Sequence, residues 1–511
     1  MKGRTVTLPP REIELKFQLL PGSEAILRAG DIFGDAAQNR HQITTYHDTP
    51  DNLLHASGLT LRIRQENDSF LQTVKSRDNG IVLANNRKEW EWPVTSGTPH
   101  VEHLAAVSEL ASISGQITGR LVPVIVTDIW RTSCLHVVKD GCAAEASLDI
   151  GTVSSGEVSL PICELELELK GGDVAALYRL ALQLVETAPM WIGAESKSAR
   201  GWSLRNGHGS GAIVLTRPKI AKKMSAAAGL HQIIGALLSH LSANIPPTLS
   251  GDPEALRQMR GALRQLRAMF RLFAPLLNPD EITRLIAPLR QFARTFGTAR
   301  DWDVFCSQTL PAVITALPER DWTDLNALAD SERTAAHAAV DDAICSPHLT
   351  KLILDLAVWS ETCAATPWDK GTKQLTRHIA KIAPALLETF AEKARQAGRH
   401  PGRLSMVLLH DFRKALDRLN AAVRFLGSAY PKPAVADYRK RSDAVRDIIG
   451  AANDAEVTKA LANSLTIGGS RDLSASIAAL AIWADQRQAQ SLTDLKPATR
   501  RFSTASRFWL R

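Results

Sequence analysis

The sequence predicts a multidomain protein of mixed class. An N-terminal eight-stranded antiparallel β barrel of α+β type is followed by an all-α part, duplicated helical bundles with pseudo-twofold symmetry. Three observations predict it. Apolar and polar residues alternate with a period of two through roughly the first 170 residues, as in strands with two unlike faces. Beyond about residue 225 the apolar positions recur every three or four, as at Leu263, Leu266, Phe270 and Phe273, or Leu416, Leu419, Val423 and Leu426, the spacing of a buried helix face. Within that second part Arg260, Leu266, Arg271, Gly297, Ala299, Asp301 and Val304 recur at a constant offset of 153 as Arg413, Leu419, Arg424, Gly450, Ala452, Asp454 and Val457. A fixed offset over that span is the mark of two similar packed units.

Size and charge agree with a division of labour. A chain of 511 residues is too long for one core, and its 45% hydrophobic and 22% charged content is ordinary for globular domains. The net charge of +8 divides into −5 over residues 1–206 and +13 over 207–511, so two different tasks are expected. The opening Met1-Lys2-Gly3-Arg4-Thr5 lacks the apolar run of a signal peptide, and no stretch suits a membrane span, so a cytoplasmic protein with no membrane partner is expected. Six cysteines without a CxxC pair read as reduced, mostly buried thiols.

In chain order, the first strand is Arg11–Phe17, with Glu12, Glu14 and Lys16 on one face and Ile13, Leu15 and Phe17 on the other. Seven more follow: Gln42–Asp48, Leu59–Gln65, Phe70–Ser76, Arg87–Val94, Val126–Val138, Ala144–Val153 and Ile162–Lys170. Asp48-Thr49-Pro50 and Asp78-Asn79-Gly80 supply turns, and Gly22–Ala29 and Val101–Ala111 are candidate helices. Arg62 and Arg64 share a face, as do Thr73 and Lys75, then Arg87, Glu89 and Glu91, then Glu145, Ser147 and Asp149, then Glu164, Glu166 and Glu168. Turned inward, these rows make a poor core and a plausible binding lumen. Turned outward, they leave the apolar faces to fill a narrow barrel. Alternation satisfies both schemes.

Chemistry favours the inward scheme. Three glutamates spaced two apart repel one another unless something positive sits among them, and hard divalent cations take carboxylate oxygens. A polyanion such as a triphosphate needs several Arg and Lys donors, and its hydrolysis needs Mg²⁺ or Mn²⁺ held by carboxylates. Basic rows facing acidic rows meet both demands. No Walker-type loop and no HExxH helix offers a competing site.

The residues that carry a resemblance are Glu12-x-Glu14-x-Lys16, Tyr46-x-Asp48-Thr49-Pro50, Leu61-Arg62-Ile63-Arg64, Thr73-x-Lys75, Arg87-x-Glu89-x-Glu91, Asp149-x-Gly151, Cys163-Glu164-Leu165-Glu166, and Ser196-Lys197-Ser198 with Arg200-Gly201. In this order, over residues 10–205, they resemble the CYTH domain of the triphosphate tunnel metalloenzymes. The resemblance implies an eight-stranded tunnel in which Lys16, Arg62, Arg64, Lys75, Arg87, Arg131 and Lys197 grip phosphate and Glu12, Glu14, Asp149, Glu164 and Glu166 hold metal. Glu89, Glu91 and Glu145 could be metal-linked or could orient neighbouring arginines, and Glu168 could be part of the acidic row or a solvated end. His41, His47 and His55 show no ligand spacing. Trp90, Trp92, Trp130 and Trp202 fit either a core or an interface.

Asn206-Gly207-His208-Gly209-Ser210-Gly211 reads as a connector, which places a tunnel domain at 1–205, a linker at 206–224 and a helical domain at 225–511, its repeats about 225–375 and 376–511. In the first repeat Arg257, Arg260, Arg264, Arg267 and Arg271 form a stripe at helical spacing. In the second, His410, Arg413, Lys414, Arg418 and Arg424 spread more widely around their helix. Such a stripe calls for acidic neighbours, solvent or an anionic ligand. Asp252-Pro253-Glu254-Ala255-Leu256, Met259-Arg260, Arg264-x-Leu266-Arg267, Gly297-x-Ala299-Arg300-Asp301-x-Asp303-Val304, Leu409-His410-x-x-Arg413-Lys414, Asn453-Asp454-Ala455 and Arg507-Phe508-Trp509 resemble the CHAD domain, a helical domain that binds inorganic polyphosphate. The resemblance implies that Arg257, Arg260, Arg264, Arg267, Arg271, His410, Arg413, Lys414 and Arg418 take polyphosphate. The chain departs from the family at Arg257, Gly261 and Gln265, and at Asp417, Asn420 and Ala421 where Lys, Arg and Tyr are usual, so the basic surface of the second repeat is thinner. Asp301, Asp303, Asn453 and Asp454 read as helix-cap and packing residues.

The expected function is metal-dependent hydrolysis of tripolyphosphate in the tunnel, with Mg²⁺ or Mn²⁺, beside a helical domain that binds polyphosphate. Adenylate cyclase or thiamine triphosphatase chemistry in the same tunnel is one alternative, and a non-catalytic polyphosphate scaffold is another. Nucleic acid is disfavoured as a partner because aromatics rarely interleave with the basic stripes.

Overall fold

The computed structural model describes residues 11–76, 83, 85–111, 113–137, 142–193, 195–207, 211–363, 375–401, 405–465 and 471–510. The expected turn at Asp78-Asn79-Gly80 and part of the Asn206–Gly211 connector lie outside them. The chain divides into two compact units. The first holds the described residues up to Ile213 together with Leu241–Ser250 and Ile344–Glu361, and the second holds Val214–His240, Gly251–Ala343 and the rest from Thr362.

Nine strands build the first unit: β1 (Arg11–Leu19), β2 (Gln38–Asp48), β3 (Leu59–Glu66), β4 (Ser69–Ser76), β5 (Asn85–Val94), β6 (Val122–Val137), β7 (Ala143–Ser155), β8 (Val158–Gly171) and β9 (Met190–Ile192). All pairings are antiparallel. The order β5-β4-β3-β2-β6-β7-β8-β1 closes because the first half of β1, Arg11–Glu14, pairs back to β5. The eight expected strands are therefore all present and form the barrel. β9, which the sequence reading did not anticipate, adds to the second half of β1 at Phe17–Leu19; three residues are too few to show a period of two. The β7–β8 hairpin turns through Gly156 and Glu157, with Gly156 at φ +59, a conformation that favours glycine.

The choice that alternation left open is made by burial. Glu12, Glu14 and Lys16 line the lumen, so Leu15 and Phe17, both fully buried, face outward. Leu59, Leu61 and Val74 likewise point out of the barrel and pack with Leu104, Val107, Leu110 and Ile117, where Trp90 and Trp92 join them. The helices α1 (Val174–Thr187) and α2 (Lys197–Arg205) pack on the sheet, Trp202 of α2 joining Tyr46, Ile125 and Ile129. Trp130 stays 59% exposed, stacked on His41. The apolar core of this unit thus surrounds the barrel, and the lumen is left to charge. Thr350 Oγ1 donates to Met190 O at 2.9 Å and Lys351 pairs with Glu186 at 2.6 Å, fastening helix Pro347–Thr362 beside β9 and α1.

The second unit is helical. Its two repeats are built around α3 (Pro253–Phe273) with α4 (Pro279–Val304), and α5 (Met406–Leu426) with α6 (Lys432–Ser464); α3 also packs on α5. Asp252 caps α3 by accepting from Glu254 N and Ala255 N, with Pro253 at the first helical position, which accounts for the Asp-Pro-Glu-Ala run. Asp301, Asp303, Asn453 and Asp454 do not cap helices as expected: they lie inside α4 and α6, where Asp303 pairs with His337 at 2.8 Å. Among the described helices none is long and apolar enough to cross a membrane. Cys134, Cys142, Cys163 and Cys306 are free thiols, and of the six cysteines Cys142 and Cys363 alone are buried, fewer than expected.

Candidate active site

Strand register assembles the lumen. On the inner face Glu12 stands opposite Arg87, Lys75 opposite Glu89, Arg131 opposite Asp149, Asp149 opposite Glu164, and Lys16 opposite Glu166. Residues far apart in sequence thereby become cross-strand neighbours, four of these five pairs of opposite charge and Asp149–Glu164 of like charge. The result is a cavity of about 270 Å³ lined by Glu12, Lys75, Glu89, Arg131, Lys16 and Glu166 from these rows and by Ser196, Lys197 and Ser198 at the start of α2.

Its deepest part is an ion cage. Asp149, Glu164 and Glu166 are 0%, 3% and 8% exposed, and one carboxylate oxygen of each lies within 4.8 Å of the others. Lys197 Nζ sits among them, 2.6 Å from Asp149, 2.8 Å from Glu166, and paired with Glu164. Arg131 grips both oxygens of Asp149 at 2.7 and 2.6 Å and reaches Glu166 at 2.6 Å. Lys16 contacts Glu14 at 2.6 Å and also Glu166. Burial alone would raise the carboxyl pKa of Glu166, but Lys16, Lys197 and Arg131 hold it well below the usual range. Burial would likewise lower Lys197, yet Asp149, Glu164 and Glu166 keep its ammonium well above the ordinary value.

A second cluster forms at the other end of the inner face. Lys75 pairs with Glu12 at 2.7 Å and Glu89 at 3.0 Å, and Arg62 lies 3.7 Å from Glu89. Arg64 has no ion pair among the described residues, and burial together with Arg62 and Arg131 lowers its pKa. A cation so placed is available to an anionic ligand. Glu145 and Glu168 meet Lys170 at 3.7 and 2.7 Å, so Glu168 belongs to the lumen rather than to a solvated end, and burial raises its pKa. The side chain of Arg87 lies outside the described residues.

The lumen therefore brings together Glu12, Glu14, Lys16, Arg62, Arg64, Lys75, Arg131, Asp149, Glu164, Glu166 and Lys197. Sequence reasoning quoted Arg200 without assigning it a role. Arg200 pairs with Glu164 and donates to Gln18 at 3.3 Å, while Gln18 donates to Cys163 O at 2.8 Å. Its position one helical turn after Lys197 was the available signal. Gly201 lets α2 approach the sheet, since a Cβ there would lie 2.4 Å from Ile125 Cγ2. Asp48, also in the matched run, accepts from Thr49 N, Leu54 N and His55 N at 2.7–2.8 Å and is structural.

A divalent cation fits this donor set. Besides the clustered oxygens of Asp149, Glu164 and Glu166, Glu14 Oε1 is buried and accepts no hydrogen bond, Lys16 at 2.6 Å being a charge contact without that geometry. Hard carboxylate oxygens in this number suit Mg²⁺, Mn²⁺ or Ca²⁺ better than softer ions. His100, Glu102 and His103 form a second, more exposed group whose ligand atoms lie within 4.8 Å.

In the helical unit the candidate cations separate into three settings. Arg257 pairs with Glu254 and Lys414 with Asp411 at 3.5 Å along their own helices, and His410 is exposed. Arg260 lies 3.8 Å from Asp301, and the fields of Asp301 and Asp454 each involve both Arg260 and Arg413, as the duplication requires; Arg264 faces Asp417 alongside Arg260, Arg446 and Arg413. Burial lowers the pKa of Arg267 and Arg271, and so does the charge of Arg290 of α4, with Arg418 also acting on Arg271.

Residues 10–202 match the family model of the CYTH domain, and residues 232–463 match that of the CHAD domain. An inorganic triphosphatase of Haemophilus influenzae is 31% identical over 201 residues, which cover 38% of this chain and 55% of that protein, so the match spans about half the relative's length. The solved CHAD domain of Ricinus communis superposes with a TM-score of 0.52 at 23% identity, covering 58% of this chain and 98% of that one. This likeness shows a shared helical fold.

Proposed function

From a chain that carries a CYTH domain followed by a CHAD domain, we propose that the barrel hydrolyses a short inorganic polyphosphate, tripolyphosphate first among candidates, in a metal-dependent reaction. The single observation that carries this reading is the lumen itself: opposed rows of buried cations and buried carboxylates in one small cavity. The similarity to an inorganic triphosphatase supports it.

Arg62, Arg64, Lys75, Arg131, Lys16 and Lys197 bind and orient the phosphate chain, with Arg87 added from β5. Arg64, which forms no ion pair among the described residues, is a donor open to the phosphate. Glu12, Glu14, Asp149, Glu164 and Glu166 would hold Mg²⁺ or Mn²⁺, and the ion would neutralise charge on the phosphate oxygens. Water then displaces one phosphate from the next, breaking a P–O anhydride bond. The buried walls keep the cations desolvated, so each interaction with developing charge is stronger than in water. Glu89 and Glu145 orient Lys75, Arg62 and Lys170 by their ion pairs.

The helical unit binds longer inorganic polyphosphate through Arg257, Arg260, Arg264, Arg267, Arg271, His410, Arg413, Lys414 and Arg418, and nucleic acid is disfavoured as a partner. Phosphate release from tripolyphosphate, ATP and thiamine triphosphate at equal concentration, with and without Mg²⁺ or Mn²⁺, tests the tunnel reading. Fast metal-dependent release from tripolyphosphate alone is expected. Preference for ATP or thiamine triphosphate would transfer the site to another triphosphate, and silence on all three would leave a binding scaffold.

A further inference from the structure

The segment that follows β5 carries a second group of ligand-type side chains, outside the lumen and unused by the tunnel chemistry. His100 precedes the single helical turn Val101–Leu104, and His103 lies three residues on, the spacing that brings two side chains to one face. One ligand atom each from His100, Glu102 and His103 lies within 4.8 Å of the others. His100 Nδ1 is 3.0 Å from Glu102 Oε1, and the two imidazole rings stack with their centroids 6.1 Å apart.

Both histidines are held in place by the outer side of the barrel. Gln72 of β4, fully buried, donates from Nε2 to His100 O at 3.0 Å and accepts from His100 N at 2.7 Å. Trp92 of β5 stacks on His103, with centroids 5.5 Å apart and planes 8° from parallel. Leu104 seats the turn in the apolar layer formed with Leu59, Leu61 and Val74. Glu102 is 65% exposed, so the group opens to solvent on one side. An ion pair between His100 and Glu102 accounts for those two residues only. The ring nitrogens of His103 take no hydrogen bond among the described residues, and a cation shared by all three side chains would satisfy them.

We propose that His100, Glu102 and His103 form a binding site for a transition-metal ion, Zn²⁺ first among candidates, separate from the carboxylate set of the lumen. The donors decide the metal class. Imidazole nitrogens suit Zn²⁺, Cu²⁺ and Ni²⁺, whereas the oxygen-only set of Asp149, Glu164 and Glu166 suits harder ions. Three protein ligands leave one position of a tetrahedral ion open, to water or to a donor from another molecule. Bound there, the ion ties His100 to His103 and clasps the turn over the apolar layer, so its binding adds to the stability of the folded chain.

Trp92, in contact with His103, gives the site its own optical reporter. The full chain is titrated with Cu²⁺ in excess Mg²⁺ while tryptophan fluorescence is followed, and the quenching that disappears in Trp92→Phe is the signal of this site. Zn²⁺ added in competition should reverse that component. Its midpoint should stay unchanged in Glu166→Gln, which disturbs only the lumen. In His103→Gln and in Glu102→Gln, which leaves the Trp92 stack intact, the midpoint should rise at least about tenfold, a ligand being worth no less than the partners that orient it. Absence of a Trp92-dependent component overturns the proposal. So does a midpoint that holds in both His103→Gln and Glu102→Gln, or one that moves in Glu166→Gln instead, since the quenching ion would then lie elsewhere.

Discussion

Lys197 Nζ lies 2.6 Å from Asp149 Oδ2, although Lys197 opens helix α2 and Asp149 sits in the middle of β7. Its position at the first turn opposes the helix dipole, and its burial opposes charge altogether. Asp149, Glu164 and Glu166 outweigh both. The helix start is thereby fixed against the floor of the lumen, with Ser196 Oγ accepting from Ala199 N as its cap.

Lys197→Met should therefore destabilise the metal-free protein. Removing one partner from a buried ion cluster costs about 3–5 kcal/mol, because the remaining charges are left uncompensated. Urea unfolding with and without Mn²⁺ would measure it, and added metal should restore part of the loss. Unchanged stability would mean the contacts carry no net energy.

Glu14→Gln and Glu166→Gln should each keep the fold and lower metal-dependent turnover of tripolyphosphate by about a hundredfold or more. Circular dichroism controls for folding. Wild-type rates in either variant would remove that residue from the metal site.

Arg200→Ala should act through Glu164, which it holds together with Gln18. Loss of a partner that orients a metal-holding carboxylate typically weakens metal affinity by about 10- to 100-fold. Calorimetric titration with Mn²⁺ reads this directly. An unaltered dissociation constant would reduce Arg200 to a packing residue.

Gly201→Ala places a methyl group against Ile125, and overpacking of this kind costs about 1–3 kcal/mol. A lower melting temperature accompanied by slower turnover is expected, because α2 also carries Lys197. A variant as stable and active as wild type would show that α2 tolerates a shift.

The cage also predicts a pH window. Glu166 titrates well below its usual 4.5 in the folded state, so its contribution is present above 4.5 and lost as pH falls towards the folded value. Lys197 titrates well above 10.5, so its contribution is present below 10.5 and lost as pH rises through the folded value. Thermal melts from acid to alkaline pH should show a plateau bounded on both sides, and Glu166→Gln should flatten its acid edge. An acid edge identical in the two proteins would contradict the assignment.

Much of this was legible beforehand. Period-two alternation marked all eight barrel strands, because each has one face in an apolar layer and one in a polar lumen, and the constant offset from Arg260 to Arg413 exposed the duplication without any structure. The residue types of the lumen were legible for the same reason: a site for polyanion and metal needs bases and acids on strands that otherwise bury apolar side chains. What alternation could not supply was direction. A strand with one charged face is equally regular turned in or out, and only closure of β1 onto β5, with helices covering Leu15, Leu61 and Val74, placed charge inside.

Pairing was likewise beyond the sequence. Lys197 meets Glu164 and Arg131 meets Asp149 through register between strands and the seating of a helix, which depend on contacts between residues distant along the chain. The repeats make the same point from the other side. The sequence determined that Arg290 and Asp443 occupy equivalent positions with opposite charge. Only tertiary packing brought Asp443 within 2.9 Å of Arg446 and 3.8 Å of Arg424, because electrostatic consequence depends on distance in space, not on position along a helix.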